Sequence, residues 1–267
     1  MFFHDFIPSP IILTIGPATF HWYGLFFGLG LAAAYLLANW RFKTWSSTGW
    51  SLDSLFVWLI LGGIVGARLL DVFYFEWWYF KNHTSDLFLF WQGGLAWQGG
   101  LLGGGLAAWV YSIKYKIRLS SLADLLAPSL AFGQAIGRWG NYFNQEIFGR
   151  PTDLPWAIPI VQKLRPEIYQ SFSHFQPIFF YEFLGLVSIG LFLLVIFKNK
   201  IGSGWQIAWY LLLAGALRFG LEFIRLDEQS VWLGLRAGFW LAGLSIVIGV
   251  VWLFKLAWLD HKSNKDI

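Results

Sequence analysis

Seven apolar runs, each about 20 residues long, leave this chain little choice of fold, because a helix of that length crosses the ~30 Å hydrocarbon core of a bilayer. They lie near Phe20–Trp40, Leu52–Phe73, Gly94–Ile113, Leu119–Gly137, Pro177–Phe197, Trp205–Phe223 and Leu233–Phe254. Lipid offers the backbone no hydrogen-bond partner, so each run predicts a helix that satisfies its own amides. The expected fold class is all-α: a polytopic membrane helix bundle of seven transmembrane helices, forming a single integral membrane domain over residues 1–267. Only 13% of the residues are charged, against about 25% in soluble domains, and mean hydropathy is +0.56. Eighteen tryptophans and ten tyrosines suit aromatic belts at the membrane interfaces. Residues 1–10 carry no basic n-region, so no cleaved signal peptide is expected.

Basic residues set the expected orientation. One set of loops collects Arg41, Lys43, Lys114, Lys116, Arg118, Lys198, Lys200, Lys255, Lys262 and Lys265, and the positive-inside rule makes that side cytoplasmic. The N-terminus is then outside and the C-terminus inside, and the longest loop, within 138–176, forms an outward-facing head or arm. The net charge of +4 reflects these loops, and no nucleic-acid partner is expected. Glycines recur at four-residue spacing (Gly24/Gly28, Gly62/Gly66, Gly99/Gly103, Gly100/Gly104, Gly133/Gly137), which predicts close helix packing. Seven glycines between Gly93 and Gly105 predict a broken or re-entrant helix.

Charges inside such spans are costly and mark function. Arg68 and Asp71 sit in the second span, Arg138 at the end of the fourth, and Arg218, Glu222 and Arg225 on one face of the sixth. Arginine is permanently charged and bidentate, so the group reads either as an anion site for a lipid headgroup phosphate or as buried ion pairs that only orient helices. His21 opens the first span as an interfacial anchor or a proton acceptor; His4, His83, His174 and His261 read as solvated. Cysteine is absent, which excludes disulfides and a cysteine nucleophile on this chain; no metal site or cofactor is expected.

These residues resemble the prolipoprotein diacylglyceryl transferase family. The likeness covers nearly the whole chain: Trp22-Tyr23-Gly24, Gly66-Ala67-Arg68, the block Gly93-Gly94-Leu95-Ala96-Trp97-Gln98-Gly99-Gly100-Leu101, and the decapeptide Gly137-Arg138-Trp139-Gly140-Asn141-Tyr142-Phe143-Asn144-Gln145-Glu146. It continues through Tyr181-Glu182, Arg218-Phe219, Glu222-Phe223 and Arg225. The resemblance implies an enzyme of the bacterial plasma (inner) membrane that moves the diacylglyceryl group of phosphatidylglycerol onto the lipobox cysteine of a prolipoprotein signal peptide, forming a thioether and releasing glycerol phosphate. It implies catalytic roles for Arg138 and Arg218, and Glu146 and His21 are the candidate catalytic bases for the thiol proton. Tyr23, Arg68, Gln98, Gly99, Asn141, Asn144, Glu222 and Arg225 are the implied substrate contacts.

Four departures from the family pattern stand out. Gln98 stands where the family usually has histidine, Ala214 where it has tyrosine, Gln176-Pro177-Ile178-Phe179 where it reads His-Pro-Ser-Gln, and Phe239-Trp240 where it has a glutamine. Glutamine cannot serve as a base near neutral pH. The sequence therefore leaves open a transferase with another base, a relative acting on a different lipid or acceptor, and a non-catalytic lipid- or lipoprotein-binding protein. A transporter is disfavoured, since no repeat stands out and the charges cluster toward one face.

Overall fold

The computed structural model describes residues 2–16, 18–45, 49–89, 93–197, 200–227 and 231–263. Their elements in chain order are α1 (Phe2–Asp5), β1 (Ile11–Ile15), β2 (Ala18–His21), α2 (Trp22–Thr44), α3 (Leu52–Leu70) continued by a π-helical turn (Asp71–Phe75), and α4 (Trp77–Phe80). Then follow α5 (Trp97–Lys114), α6 (Leu119–Phe143), β3 (Ile158–Pro159), β4 (His174–Phe175), α7 (Ile178–Ile196), α8 (Trp205–Glu222), β5 (Val231–Trp232), β6 (Leu235–Arg236) and α9 (Ala237–Ser263). The strands form three antiparallel two-stranded ribbons: β1 with β2, β3 with β4, and β5 with β6. Each of the seven expected spans has its long helix. Among the described residues, five are long and apolar enough to cross a membrane: α2, α3 with its π-helical turn, α6, α7 and α9. The other two, α5 and α8, have 18 residues each; five glycines dilute the first, and Gln206, Arg218 and Glu222 interrupt the second. Large apolar side chains such as Phe27, Leu36, Leu101 and Phe254 are exposed, as a lipid-facing surface requires. The protein is a multi-pass, mostly helical membrane protein.

The chain divides into two compact units, residues 39–122 and residues 1–38 with 123–267. In the first, the Ser51 hydroxyl caps α3 by accepting the Ser54 N–H at 3.4 Å, and the Tyr111 hydroxyl donates to the Ser51 carbonyl at 2.9 Å. Helices α3 and α5 meet through glycines: a Cβ on Gly103 would collide with the Gly62 carbonyl, and one on Gly66 with the Gly99 carbonyl. Small residues let two backbones touch where lipid gives no hydrophobic drive for association. This corrects the broken-helix expectation. Gly93 and Gly94 precede the helix at φ +110 and +70, and α5 then runs without interruption, its glycines used for packing.

In the second unit, Gly30 of α2 faces Gly133 of α6, where a Cβ would lie 3.0 Å from the Gly30 carbonyl oxygen. No such contact explains Gly24, Gly28 or Gly137, where a Cβ meets nothing within 4 Å. The first turn of α8 is capped from α6: the fully buried Asp124 carboxylate accepts N–H groups of Gly202 (3.1 Å), Gly204 (2.6 Å) and Ile207 (3.0 Å). An apolar core of Tyr142, Ile147, Phe148, Ile158, Ile160, Phe175, Ile178 and Phe179 joins the end of α6, the segment 144–177 and the start of α7.

Two helices, α6 and α9, depart furthest from their expected bounds. Helix α6 runs on to Phe143, so most of the decapeptide is helical and only its last residues turn away. Helix α9 starts at Ala237 rather than Leu233, because the β5–β6 ribbon takes up the preceding residues, and it extends to Ser263. Of the basic residues used for orientation, Lys198 and Lys265 lie outside the described residues.

Candidate active site

In the unit formed by 1–38 and 123–267, the last turns of α6 and α8 and the first turns of α7 and α9 bring a continuous chain of charges together. Glu182, near the start of α7, is 2% exposed and sits between two arginines. One carboxylate oxygen pairs with Arg138 Nε of α6, and the other accepts from Arg218 Nη1 of α8 at 2.6 Å. Arg218 also reaches Glu222, one turn further along α8, with Nη2 3.2 Å from Oε2. The second Glu222 oxygen lies 3.1 Å from Arg236 Nε. A Cβ on Gly238 would meet Glu222 Oε2 at 2.5 Å, so that glycine makes room for the carboxylate beside the first turn of α9.

Arg236 extends the chain. It donates to the carbonyls of Arg225 and, at 2.6 Å, Asp227, and Arg225 in turn grips the Asp227 carboxylate with two nitrogens. Burial pushes the Asp227 carboxyl up to about 6, against the opposing pull of Arg236 and Arg218. The carboxylates of Glu182 and Glu222 are buried, whereas the side chains of Arg138 and Arg218 keep 27% and 24% exposure. The acids therefore anchor the forks from behind and leave part of each fork open.

A second cluster shares Arg138. Its Nη1 donates to Asn141 Oδ1 at 3.4 Å; the Asn141 amide donates to Glu146 at 2.8 Å, and Asn144 donates to the other Glu146 oxygen at 3.2 Å. Tyr23 packs on Gly140, whose missing Cβ would lie 3.1 Å from the tyrosine ring. One asparagine thus connects an arginine fork to an exposed carboxylate.

A family model described as prolipoprotein diacylglyceryl transferase matches residues 10–255. The chain is 37% identical to the phosphatidylglycerol–prolipoprotein diacylglyceryl transferase of Trichormus variabilis, over 94% of this chain and 90% of that protein. It is 39% identical to the protein of that name from Acaryochloris marina, over 93% and 92% of the two chains, and 38% identical to that of Gloeobacter violaceus, over 97% and 96%. The chain belongs to the prolipoprotein diacylglyceryl transferase family.

Within this family member, the structure brings Tyr23, Arg138, Asn141, Asn144, Glu146, Arg218, Glu222 and Arg225 into the clusters above. His21 ends β2, exposed and paired in register with Ile11. Arg68, Gln98 and Gly99 belong to the 39–122 unit. There the Arg68 guanidinium is taken up by backbone: it donates to the carbonyls of Asp86 (2.5 Å), Leu87 (3.0 Å), Gly93 (3.0 Å) and Gly94 (2.9 Å) and lies over the Phe80 ring. Gln98 is half-buried in the first turn of α5, and Gly99 is buried against Gly66.

Three members of the charge chain, Glu182, Arg236 and Asp227, were not among the site residues expected from sequence. Glu182 had a signal, being the lone charged residue of α7. Arg236 and Asp227 had none, since each acts through a loop whose fold is not periodic. Two of the family departures become apolar packing: Ala214 packs against the core of α6, α7 and α8, and Phe239 stacks edge-on with Phe219 and Phe223 at 5.3 and 5.0 Å.

Proposed function

We propose that this chain transfers the diacylglyceryl group of phosphatidylglycerol to the cysteine thiol of a prolipoprotein lipobox, the first step of lipoprotein maturation. One observation carries the assignment of the site. Arg138, Glu182, Arg218, Glu222 and Arg236 alternate in charge, three guanidiniums against two carboxylates. The Arg225–Asp227 pair adds nothing net, so this alternating chain is left with one positive charge, and the exposed Glu146 carboxylate stands apart from it beyond Asn141. A phosphodiester carries one negative charge, and the open edges of Arg138 and Arg218 offer it planar donor pairs.

In this reading the thiol sulfur attacks the glyceryl carbon that bears the phosphoester oxygen. The C–S bond forms as the C–O bond breaks, and glycerol phosphate leaves with the electron pair. Negative charge grows on the leaving phosphate, so forks already aimed by buried carboxylates bind the transition state better than the ground state. The same arginines lower the pKa of a nearby thiol. Its proton goes to Glu146, whose carboxylate two asparagine amides hold in place; His21 is the alternative acceptor. Tyr23 and Asn144 contact the headgroup, Glu222 and Arg225 support the arginines, and Arg68 shapes the loop that leads to Gln98 and Gly99.

The basic residues flanking the spans orient the N-terminus and the segment 138–176 outward and the C-terminus toward the cytoplasm, so phosphatidylglycerol enters from the outer leaflet of the bacterial plasma membrane. Expression in bacteria depleted of their own transferase tests the proposal. The wild-type chain is expected to restore lipidated prolipoprotein, and Arg138→Ala or Arg218→Ala to lower transfer about 10²–10³-fold. A folded wild-type chain that accumulates in the membrane without restoring lipidation overturns it.

A further inference from the structure

Glu146 lies just past α6, and its position follows from how that helix stops. The Gln145 N–H donates to the Tyr142 carbonyl at 3.0 Å and the Glu146 N–H to the Asn141 carbonyl at 2.9 Å. With Gln145 at φ +56, these bonds make the doubly bonded left-handed helix end in which the second residue out folds back on the last turn. An apolar pair usually closes such an end. Here those two positions are Asn141 and Glu146, joined side chain to side chain at 2.8 Å.

Glycine is the usual residue at the left-handed position, since a Cβ is unfavourable there. Gln145 occupies it with a buried side chain, 6% exposed. Its amide nitrogen donates to the Pro8 carbonyl at 3.0 Å, and its amide oxygen accepts the Val161 N–H at 2.7 Å. Two distant stretches of chain thus converge on one side chain. The Pro8 stretch continues to Pro10, whose carbonyl accepts the Trp22 N–H at 3.0 Å; Trp22 in turn stacks on Phe143 at 4.5 Å. On the far side of Glu146, Ile147 is also left-handed, at φ +55, with its side chain buried in the apolar core. A β-branched residue keeps that conformation only where its surroundings enforce it.

We infer that Gln145 is a positioning residue of the transferase site: by gripping Pro8 and Val161 it locks the turn that places Glu146 against Asn141, the acceptor of the Arg138 fork. The inference rests on the transferase reading and is tested with two variants in phosphatidylglycerol vesicles with a lipobox peptide. Gln145→Gly keeps the left-handed backbone and removes both side-chain bonds. Its kcat is expected to fall about tenfold with KM for phosphatidylglycerol within about twofold, as a misaligned group predicts, while the amides of residues 4–7 and of Ser9 exchange deuterium faster. Gln145→Glu reproduces glutamine's donor and acceptor only when protonated. Its kcat relative to wild type is expected to climb about fivefold as pH falls from about 8 to about 5.5. Wild-type kcat in Gln145→Gly, a lowered Tm with kcat and KM intact, or a pH-independent Gln145→Glu ratio overturns the inference. No turnover by the wild-type protein overturns the transferase reading instead, and the exchange comparison then still decides whether Gln145 holds the N-terminal segment.

Discussion

Replacing Glu182 by glutamine separates the anchoring of the arginine forks from their charge. Glu182 is 2% exposed and holds Arg138 and Arg218 through separate oxygens. Hydrogen bonds to charged groups are worth about 1.5–3 kcal/mol each. The amide keeps one acceptor oxygen and turns a donor toward the other arginine, so about one such bond is lost. Breaking a fully buried pair costs about 3–5 kcal/mol; here the guanidiniums are about a quarter exposed and water screens part of that cost. A loss of about 2–3 kcal/mol remains. If alignment of the forks matters mainly in the transition state, this appears in kcat as a decrease of about 30- to 150-fold. The variant also carries one more uncompensated positive charge, so KM for phosphatidylglycerol is expected to stay level or fall. Glu182→Asp keeps the charge but is one methylene too short to span both forks, and an intermediate kcat is expected. The assay is initial-rate transfer to a lipobox peptide across a phosphatidylglycerol series, with thermal unfolding measured in parallel. Wild-type kcat in Glu182→Gln, or a rise in KM at constant kcat, refutes the reasoning.

Asp124→Ala removes the acceptor of three N–H groups around the start of α8 and is expected to cost about 2–4 kcal/mol, lowering Tm in detergent by about 5–10 °C. Gly103→Ala, which would collide with the Gly62 carbonyl, should destabilise by about 2 kcal/mol or more; Gly100→Ala, whose nearest contact is 3.6 Å away, should stay within about 0.5 kcal/mol, both read by chemical unfolding. Because the folded-state pKa of Asp227 is raised to about 6, acidification protonates it and loosens its grip on Arg225. Activity should therefore fall as pH drops through about 6; the fold binds this proton more tightly than the unfolded chain, so the group itself adds stability as pH falls. A pH–rate profile alongside a pH–Tm profile checks this, and Asp227→Asn should lack the acid limb in the rate.

The long helices were legible because lipid imposes one rule on every backbone amide, and apolar runs of about 20 residues obey it visibly. The decapeptide pointed to the candidate site for the same reason, since Arg138, Asn141 and Glu146 are costly in an apolar setting. Where α6 stops was not legible: its last turns pack on the core of the 144–177 segment, and Gln145 takes a left-handed position where a glycine would have announced the end. The glycines of α5 misled for a related reason. Composition alone does not distinguish a helix that breaks from one that packs against Gly62 and Gly66 of a neighbour. Arg236 and Asp227 complete the charge chain through a short ribbon and a loop, elements held by contacts distant in sequence.

The most direct test of the central claim is one reaction: purified protein, phosphatidylglycerol vesicles and a lipobox peptide, with peptide mass and released glycerol phosphate followed together. The wild-type chain is predicted to add one diacylglyceryl group per peptide cysteine and to release glycerol phosphate in equal amount, and Arg218→Ala to do neither at a comparable rate. Folded wild-type protein that retains phosphatidylglycerol yet yields no thioether would contradict the account and leave the arginine chain as a lipid-holding site without chemistry.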